Sequence, residues 1–289
     1  IIKQFIETDK PLKDILRDLA LPEQPVENAF ALIVNNWILE VVETEIYQKI
    51  DLAIEIGHEE EDLYILFISF LVAFYGHKDM LEKSRSAFVI SCSFDISKYH
   101  TVIQAFYYQL RASYFFIIKD FKNKEESLFL SISKMPKNSP RYKVHLGNVA
   151  NILGVDGRLL DLSKDDLSIL EKFAENNFVA IIGILCNCFY TVDLNSIDKY
   201  FNILQIKFKS HVRFKEDDLK CIIEFYKGDF ENKKILHPIH NNYISYFWAL
   251  KNKDIKSAKK IYRKIQIFPD SHFFAIFHSF SSCFYIWPI

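Results

Sequence analysis

The sequence predicts an all-α fold on three counts. Glycine is scarce, with 7 residues in 289, or about 2.4%, against ~7% in ordinary domains. Tight hairpin turns and phosphate-cradling loops rely on glycine for positive φ or close backbone approach. A turn-rich β fold and a glycine-loop nucleotide enzyme are therefore disfavoured. Aromatic side chains are abundant, with 27 Phe, 15 Tyr and 3 Trp, which suits helices packed face to face. Finally, apolar residues recur at i, i+3, i+4 and i+7, and no stretch alternates with period 2 between hairpin turns.

Residues 11–21 predict a short helix with Leu12, Ile15, Leu16 and Leu19 on one stripe. Pro22-Glu23-Gln24-Pro25 interrupts it. Pro25 suits the first turn of the next helix, where a missing N–H costs nothing. That helix runs from Val26 through Phe30, Ile33, Val34, Trp37, Ile38, Val41 and Val42. Glu43-Thr44-Glu45 leads into Ile46, Ile50, Leu52, Ala53 and Ile56, with Gly57 as C-terminal cap. The run 63–76 is apolar over about 14 residues, too short to cross ~30 Å of hydrocarbon at 1.5 Å per residue. The pattern continues over 84–89, 95–118 and 122–132.

Pro136-Lys137-Asn138-Ser139-Pro140 is the first clear break and Gly154-Val155-Asp156-Gly157 the second, with a helix over 141–153 between them. The first break separates an N-terminal helical region, 1–135, from a C-terminal helical-repeat region, 136–289, together forming one continuous solenoid. Ser163-Lys164-Asp165-Asp166 reads as a capping box, in which the hydroxyl accepts from the backbone three residues on and the acid answers back. Helices follow over 164–175, 178–190, 194–209, 215–227, 241–252, 254–267 and 271–285. Their connections are short, so successive helices are antiparallel neighbours. Gly57, Gly76, Gly154, Gly157 and Gly228 fall at helix ends or turns, while Gly147 and Gly183 lie inside helices and mark close approaches.

Charge is balanced, 36 Lys+Arg against 37 Asp+Glu, so no global basic field favours nucleic acid. The cations of 206–215 read as a solvated helix end rather than a single-strand-binding strip. Five scattered cysteines and no secretory leader fit reduced thiols in the cytoplasm. The start, Ile1-Ile2-Lys3-Gln4, lacks methionine and reads as part of a longer chain. The uncharged run 273–289 reads as a helix docked on a neighbour, so no membrane span is expected.

Several clusters resemble chemical sites. His58-Glu59-Glu60-Glu61-Asp62 has two metal-type ligands at helical i, i+4 spacing, with Glu59 as a base. The plainer expectation is that three acids in the first turn after Gly57 meet a helix dipole. Cys186-Asn187-Cys188 lacks a second ligand pair for zinc. His237 and His240 read as a helix start, and His272 and His278 as packed histidines. Arg141 and His145 are one residue too close for the Arg-and-His pair of helical ribonucleases. No nucleophile elbow or phosphate loop is present. Neither metal nor cofactor is expected, and the chain is expected not to be an enzyme.

A recurrent junction points to stacked helix pairs. Phe74-Tyr75 precedes Lys78-Asp79-Met80, Phe115-Phe116 precedes Lys119-Asp120-Phe121, Phe225-Tyr226 precedes Gly228-Asp229-Phe230, and Phe247-Trp248 precedes Lys253-Asp254-Ile255. Each is an aromatic helix end, a turn with an Asp to cap, and an apolar residue opening the next helix. These junctions resemble those of tetratricopeptide repeats, best over 242–269 with Asp254, Ile255, Ala258, Tyr262 and Ile265. The aspartates recur at intervals of 41, 109 and 25 residues, where a regular array gives multiples of about 34. The resemblance therefore implies a degenerate α-solenoid, a right-handed superhelical array of antiparallel helix pairs. Separately, 162–173 followed by 182–189 resembles the helical-repeat domain of Rgg-type peptide-sensing transcription regulators, which implies a peptide groove and a DNA-binding helix-turn-helix.

The expected function is peptide or protein binding by a scaffold or adaptor. Phe106, Tyr107, Tyr108, Tyr114, Phe115 and Phe116 ring one helix on more than one face, the mark of a central helix. Core is the plainer expectation for most of them. The partner-binding candidates are Tyr107, Arg111, Tyr114, Asn187 and Tyr190, because tyrosine joins an apolar face to a polar tip and Arg or Asn fixes chain direction. Gln104 and Gln109 are further candidates. The alternatives are an Rgg-type regulator, the one reading that brings in nucleic acid, and a helical enzyme using His58 and Glu59. A homodimer stays open.

Overall fold

The computed structural model describes residues 1–17, 24–37, 42–155 and 157–211, with single positions between 216 and 260. Every regular element among the described residues is a helix, and no strand occurs there. A first unit lies within Ile1–Val149 and a second begins at Ala150.

The first unit opens with α1 (Ile2–Glu7), α2 (Leu12–Arg17) and α3 (Pro25–Asn36). Pro25 occupies the first turn of α3, and Val26, Ala29, Phe30, Ile33 and Val34 form its buried stripe. In α4 (Thr44–Ile56) the chain stops at Gly57, whose φ of 69° lets its N–H return to Ala53 O at 3.1 Å. Helix α5 (Glu61–His77) contains the apolar run and is buried from Leu63 to Gly76 except at Tyr64. A helix apolar all round belongs at the centre of its bundle. It packs on α3, on α6 (Leu81–Cys92) and on α7 (Thr101–Ile117). The Phe30 ring lies 5.9 Å from Phe67 and 5.2 Å from Phe70, and Trp37 meets Phe70 and Phe74 at 6.0 and 5.9 Å.

The expected helix over 95–118 is broken. Asp95 accepts from the Ser97 N–H and hydroxyl at 3.3 and 2.7 Å and caps a short 3-10 turn, Ile96–Lys98. Such local side-chain bonds compete with helix propagation. His100 then caps α7 by accepting from Val102 N–H at 3.2 Å. Helix α8 (Phe121–Lys134) packs along α7, and α9 (Tyr142–Val155) follows.

In the second unit a 3-10 turn (Leu159–Asp161) leads to α10 (Lys164–Ala174), α11 (Phe178–Thr191) and α12 (Leu194–Lys207), with α11 packed on both neighbours. Ser163 Oγ accepts from Asp166 N–H at 3.2 Å, as a capping residue should. Gly154 is not in the break as expected. It lies in the last turn of α9, because that turn needs its bare Cα against α11.

Four helix ends share one closure. At Asp79, Lys119, Gly157 and Val192 the backbone turns left-handed, with φ of 56°, 60°, 68° and 57°. The N–H of the next residue returns five positions, as in Met80 to Tyr75 O, Asp120 to Phe115 O, Arg158 to Leu153 O and Asp193 to Cys188 O, all 2.8–2.9 Å. This six-to-one closure is the Schellman motif. The left-handed residues recur at intervals of 40, 38 and 35. Asp120 and Asp193 then cap the next helix, accepting from Asn123 and Ser196 N–H at 3.2 Å. Asp79 does not cap as expected: it takes the left-handed position itself, and Met80 opens α6 without a side-chain bond.

No helix among the described residues is long and apolar enough to cross a membrane. The helices expected over 241–252 and 271–285, most of 242–269, the run 273–289 and His237, His240, His272 and His278 lie outside the described residues. Asp254 is described, and it accepts from Ser257 N–H at 3.0 Å.

Candidate functional site

Tyr107, Arg111 and Tyr114 belong to α7 in the first unit, while Asn187 and Tyr190 belong to α11 in the second. On α7 their i, i+4, i+7 spacing makes one face, and α6 lies beside it. Tyr107 and Tyr114 are buried, at 3% and 6% exposure, whereas Arg111 is half-buried. The Tyr107 hydroxyl donates to Ser91 O at 3.4 Å and accepts from Arg111 Nη1 at 2.8 Å. Burial pushes that hydroxyl above its usual pKa, and the guanidinium beside it pulls the other way. Tyr114 stacks on Phe88 at 4.3 Å.

The Arg111 guanidinium sits over three rings, Phe88 at 5.0 Å, Tyr107 at 5.4 Å and Phe115 at 5.5 Å. Such contacts each contribute about 0.5–1 kcal/mol when partly exposed. Nη1 also reaches Cys92 Sγ at 3.6 Å, and the buried Nε has no hydrogen-bond partner. Around Arg111 the partners are rings, a phenol and a thiol rather than a carboxylate.

On α11, Asn187 Oδ1 accepts from Leu159 N–H at 3.1 Å and fixes the 3-10 turn. Tyr190 is 44% exposed and its ring lies against Gly157, where a Cβ would meet it. The close approach is what requires glycine here, since its positive φ is shared by Asp79, Lys119 and Val192 at the matching positions.

At the His58 cluster the plainer expectation holds in part, since Glu61 and Asp62 lie in the first turn of α5 after the stop at Gly57, while the helical pairing of His58 with Asp62 is corrected by the local backbone. Gly57 ends α4 and α5 begins at Glu61, so His58 and Glu59 lie in the connection and no helical turn aligns His58 with Asp62. His58 turns instead to Glu27, with Nε2 3.0 Å from Oε1. Its Nδ1 accepts from Glu60 N–H at 2.9 Å, so in the neutral ring Nε2 carries the proton and donates to Glu27. Glu27 Oε2 is buried without a partner. No group of three or more metal-ligating side chains occurs among the described residues. Cys186 and Cys188 are buried, and burial pushes both thiols up to about 12.

Arg141 and His145, which the sequence offers only as a near miss for a ribonuclease pair, are both buried, and their partners have no signature there. Arg141 donates Nε to Phe5 O and Nη2 to Lys10 O at 2.7 Å, and lies 4.1 Å from the Phe5 ring centre. Burial lowers its pKa to about 10. His145 lies with Nε2 3.1 Å from Ser131 Oγ. Ser131 donates its hydroxyl hydrogen to Ala105 O at 2.8 Å, so toward His145 its oxygen accepts and Nε2 carries the proton. A general base needs the opposite polarity. The pair ties α7, α8 and α9 together, and the Ser131 oxygen is not poised as a nucleophile.

Gln104 and Gln109 are both sealed. Gln104 donates to Tyr99 O at 2.8 Å, whereas neither amide atom of Gln109 has a partner. Replacing Gln109 with leucine is expected to raise unfolding free energy by about 1 kcal/mol, because the desolvated amide is removed. Urea unfolding checks this; a loss of that size means that an internal water satisfies the amide.

No protein family, curated protein or solved structure matches this chain.

Proposed function

We propose that this chain is a non-enzymatic helical-repeat protein, tetratricopeptide-like and right-handed in its superhelix, that binds a peptide or protein partner as scaffold or adaptor. The observation that carries the reading is the recurring junction: four left-handed helix ends at intervals of 40, 38 and 35 residues, two followed by a capping aspartate. Helical hairpins of about that length are the unit of α-solenoids, which use extended surfaces for binding. The pairing of α3 with α4, α5 with α6 and α7 with α8, and of α3 with α5 and α5 with α7, follows the same logic. The reversed polarity of Ser131 and His145 and the raised thiols of Cys186 and Cys188 favour binding over catalysis.

The test is purification from the native cell, with co-eluting peptides and proteins identified by mass spectrometry and re-bound to the isolated chain. A defined partner that rebinds with saturation is the expected result. A chain that elutes alone and monomeric at its cellular concentration overturns the reading.

A further inference from the structure

We propose that Arg111, framed by Phe88, Tyr107 and Phe115 and bordered by the exposed α6 stripe Arg85–Val89–Cys92, seats an aspartate or glutamate side chain of a bound peptide. This rests on the reading of the chain as a peptide binder and names what the bound segment carries.

The argument begins with charge. A guanidinium offers five N–H donors and stays charged, and a half-buried one loses hydration that a counter-charge or acceptor should replace. Arg111 has rings on one side and two bonds from Nη1, to a phenol and a thiol; its Nε is buried without a partner, so the donor left both open and unbonded is Nη2. A carboxylate is the charged acceptor that suits this open Nη2 end of the guanidinium. The surroundings point the same way. Arg85, Val89 and Cys92 are i, i+4, i+7 on α6 and all are exposed, Val89 by 63%. Arg85 therefore adds a second cation on the α6 stripe that ends at Cys92, whose Sγ Arg111 reaches, and Val89 adds an apolar side chain between them.

The geometry favours a side-chain carboxylate over a chain terminus. Capture of a terminal carboxylate is typically built on converging backbone N–H groups. Arg111 and Cys92 lie within α7 and α6, where most backbone donors are engaged in the helix. A peptide lying across the two helices, with an acidic residue at Arg111 and an apolar neighbour at Val89, uses the groups present.

The experiment uses an array of 12-residue peptides with a central Glu or Gln, varied apolar neighbours, and either free or amidated C-termini. It is probed with the full chain and with the Arg111→Gln, Arg111→Lys and Val89→Asp variants, each first checked for unchanged thermal unfolding. Binding by the parent chain should favour Glu over Gln by about tenfold, the worth of one hydrogen bond to a charged group, and be indifferent to amidation. Arg111→Gln should erase the preference and Arg111→Lys retain part of it. Val89→Asp lies on the surface, outside the Tyr107 contact, and should weaken acidic peptides selectively. Equal binding of Glu and Gln peptides overturns the seat and leaves peptide binding standing. A preference that needs a free C-terminus and survives in Arg111→Gln also overturns it. The absence of any peptide binding overturns the seat, and the function on which it rests falls with it only where the chain also elutes alone and monomeric from its native cell.

Discussion

Between pH 7 and pH 4 the folded chain is expected to lose about 3 kcal/mol of stability through His145 alone. Burial lowers its pKa to about 3 from an ordinary 6.5. The folded imidazole therefore stays neutral where the unfolded one takes a proton. Stability from this group is present above pH 6.5 and is lost progressively as pH falls toward 3. Its neighbours Ser131 Oγ and the Phe106 ring offer no counter-charge to rescue an imidazolium. His145→Met supplies the discriminating measurement, because it fills similar volume, cannot titrate, and leaves the Ser131 hydroxyl bonded to Ala105 O. Urea unfolding at pH 7, 5.5 and 4 should show the parent falling more steeply than the variant, since other acid-sensitive groups are common to both. Parallel curves would mean that His145 is charged or solvated in the fold.

The helices were legible because their signals are local. Pro25 at a helix start, Gly57 at a helix end, Ser163 as a cap and the all-round apolar run in α5 each need only a few adjacent residues to be read. The site was less legible for the same reason. His58 suggested a helical pair with Asp62, but its partner is Glu27, 31 residues away. Arg141 answers Phe5, 136 residues away, and no spacing rule contains that contact. On α7 the rings surround the helix, so periodicity could not say which face opens; Tyr107 and Tyr114 are inside and Arg111 marks the outlet. The junction at 192–193 was missed because the left-handed residue there is Val192, a β-branched residue that seldom adopts positive φ.

Gly183→Ala is expected to cost about 3 kcal/mol, at the upper end of what overpacking does. Alanine is the better helix former by about 1 kcal/mol, so a loss must come from packing that outweighs propensity. A Cβ at Gly183 would stand 2.7 Å from Ala150 C, 2.8 Å from Asn151 N and 2.9 Å from Ala150 O. One at Gly154 would meet Gly183 O and lie 2.9 Å from Gly183 C. All these atoms are backbone, which cannot rotate away as a side-chain tip can. The Asn151 amide, donating to Val179 O at 3.0 Å, ties the same two helices. Gly76→Ala is the control, since its Cβ would meet only side-chain atoms, of Ile117 and Ser84. It should change stability by less than about 1 kcal/mol. The Gly154→Ala, Gly183→Ala double variant should cost less than the sum of the singles, because the first methyl already separates α9 from α11 and makes room for the second. Additive losses would mean that the two glycines serve separate contacts, and a neutral Gly183→Ala would show that the two backbones do not touch.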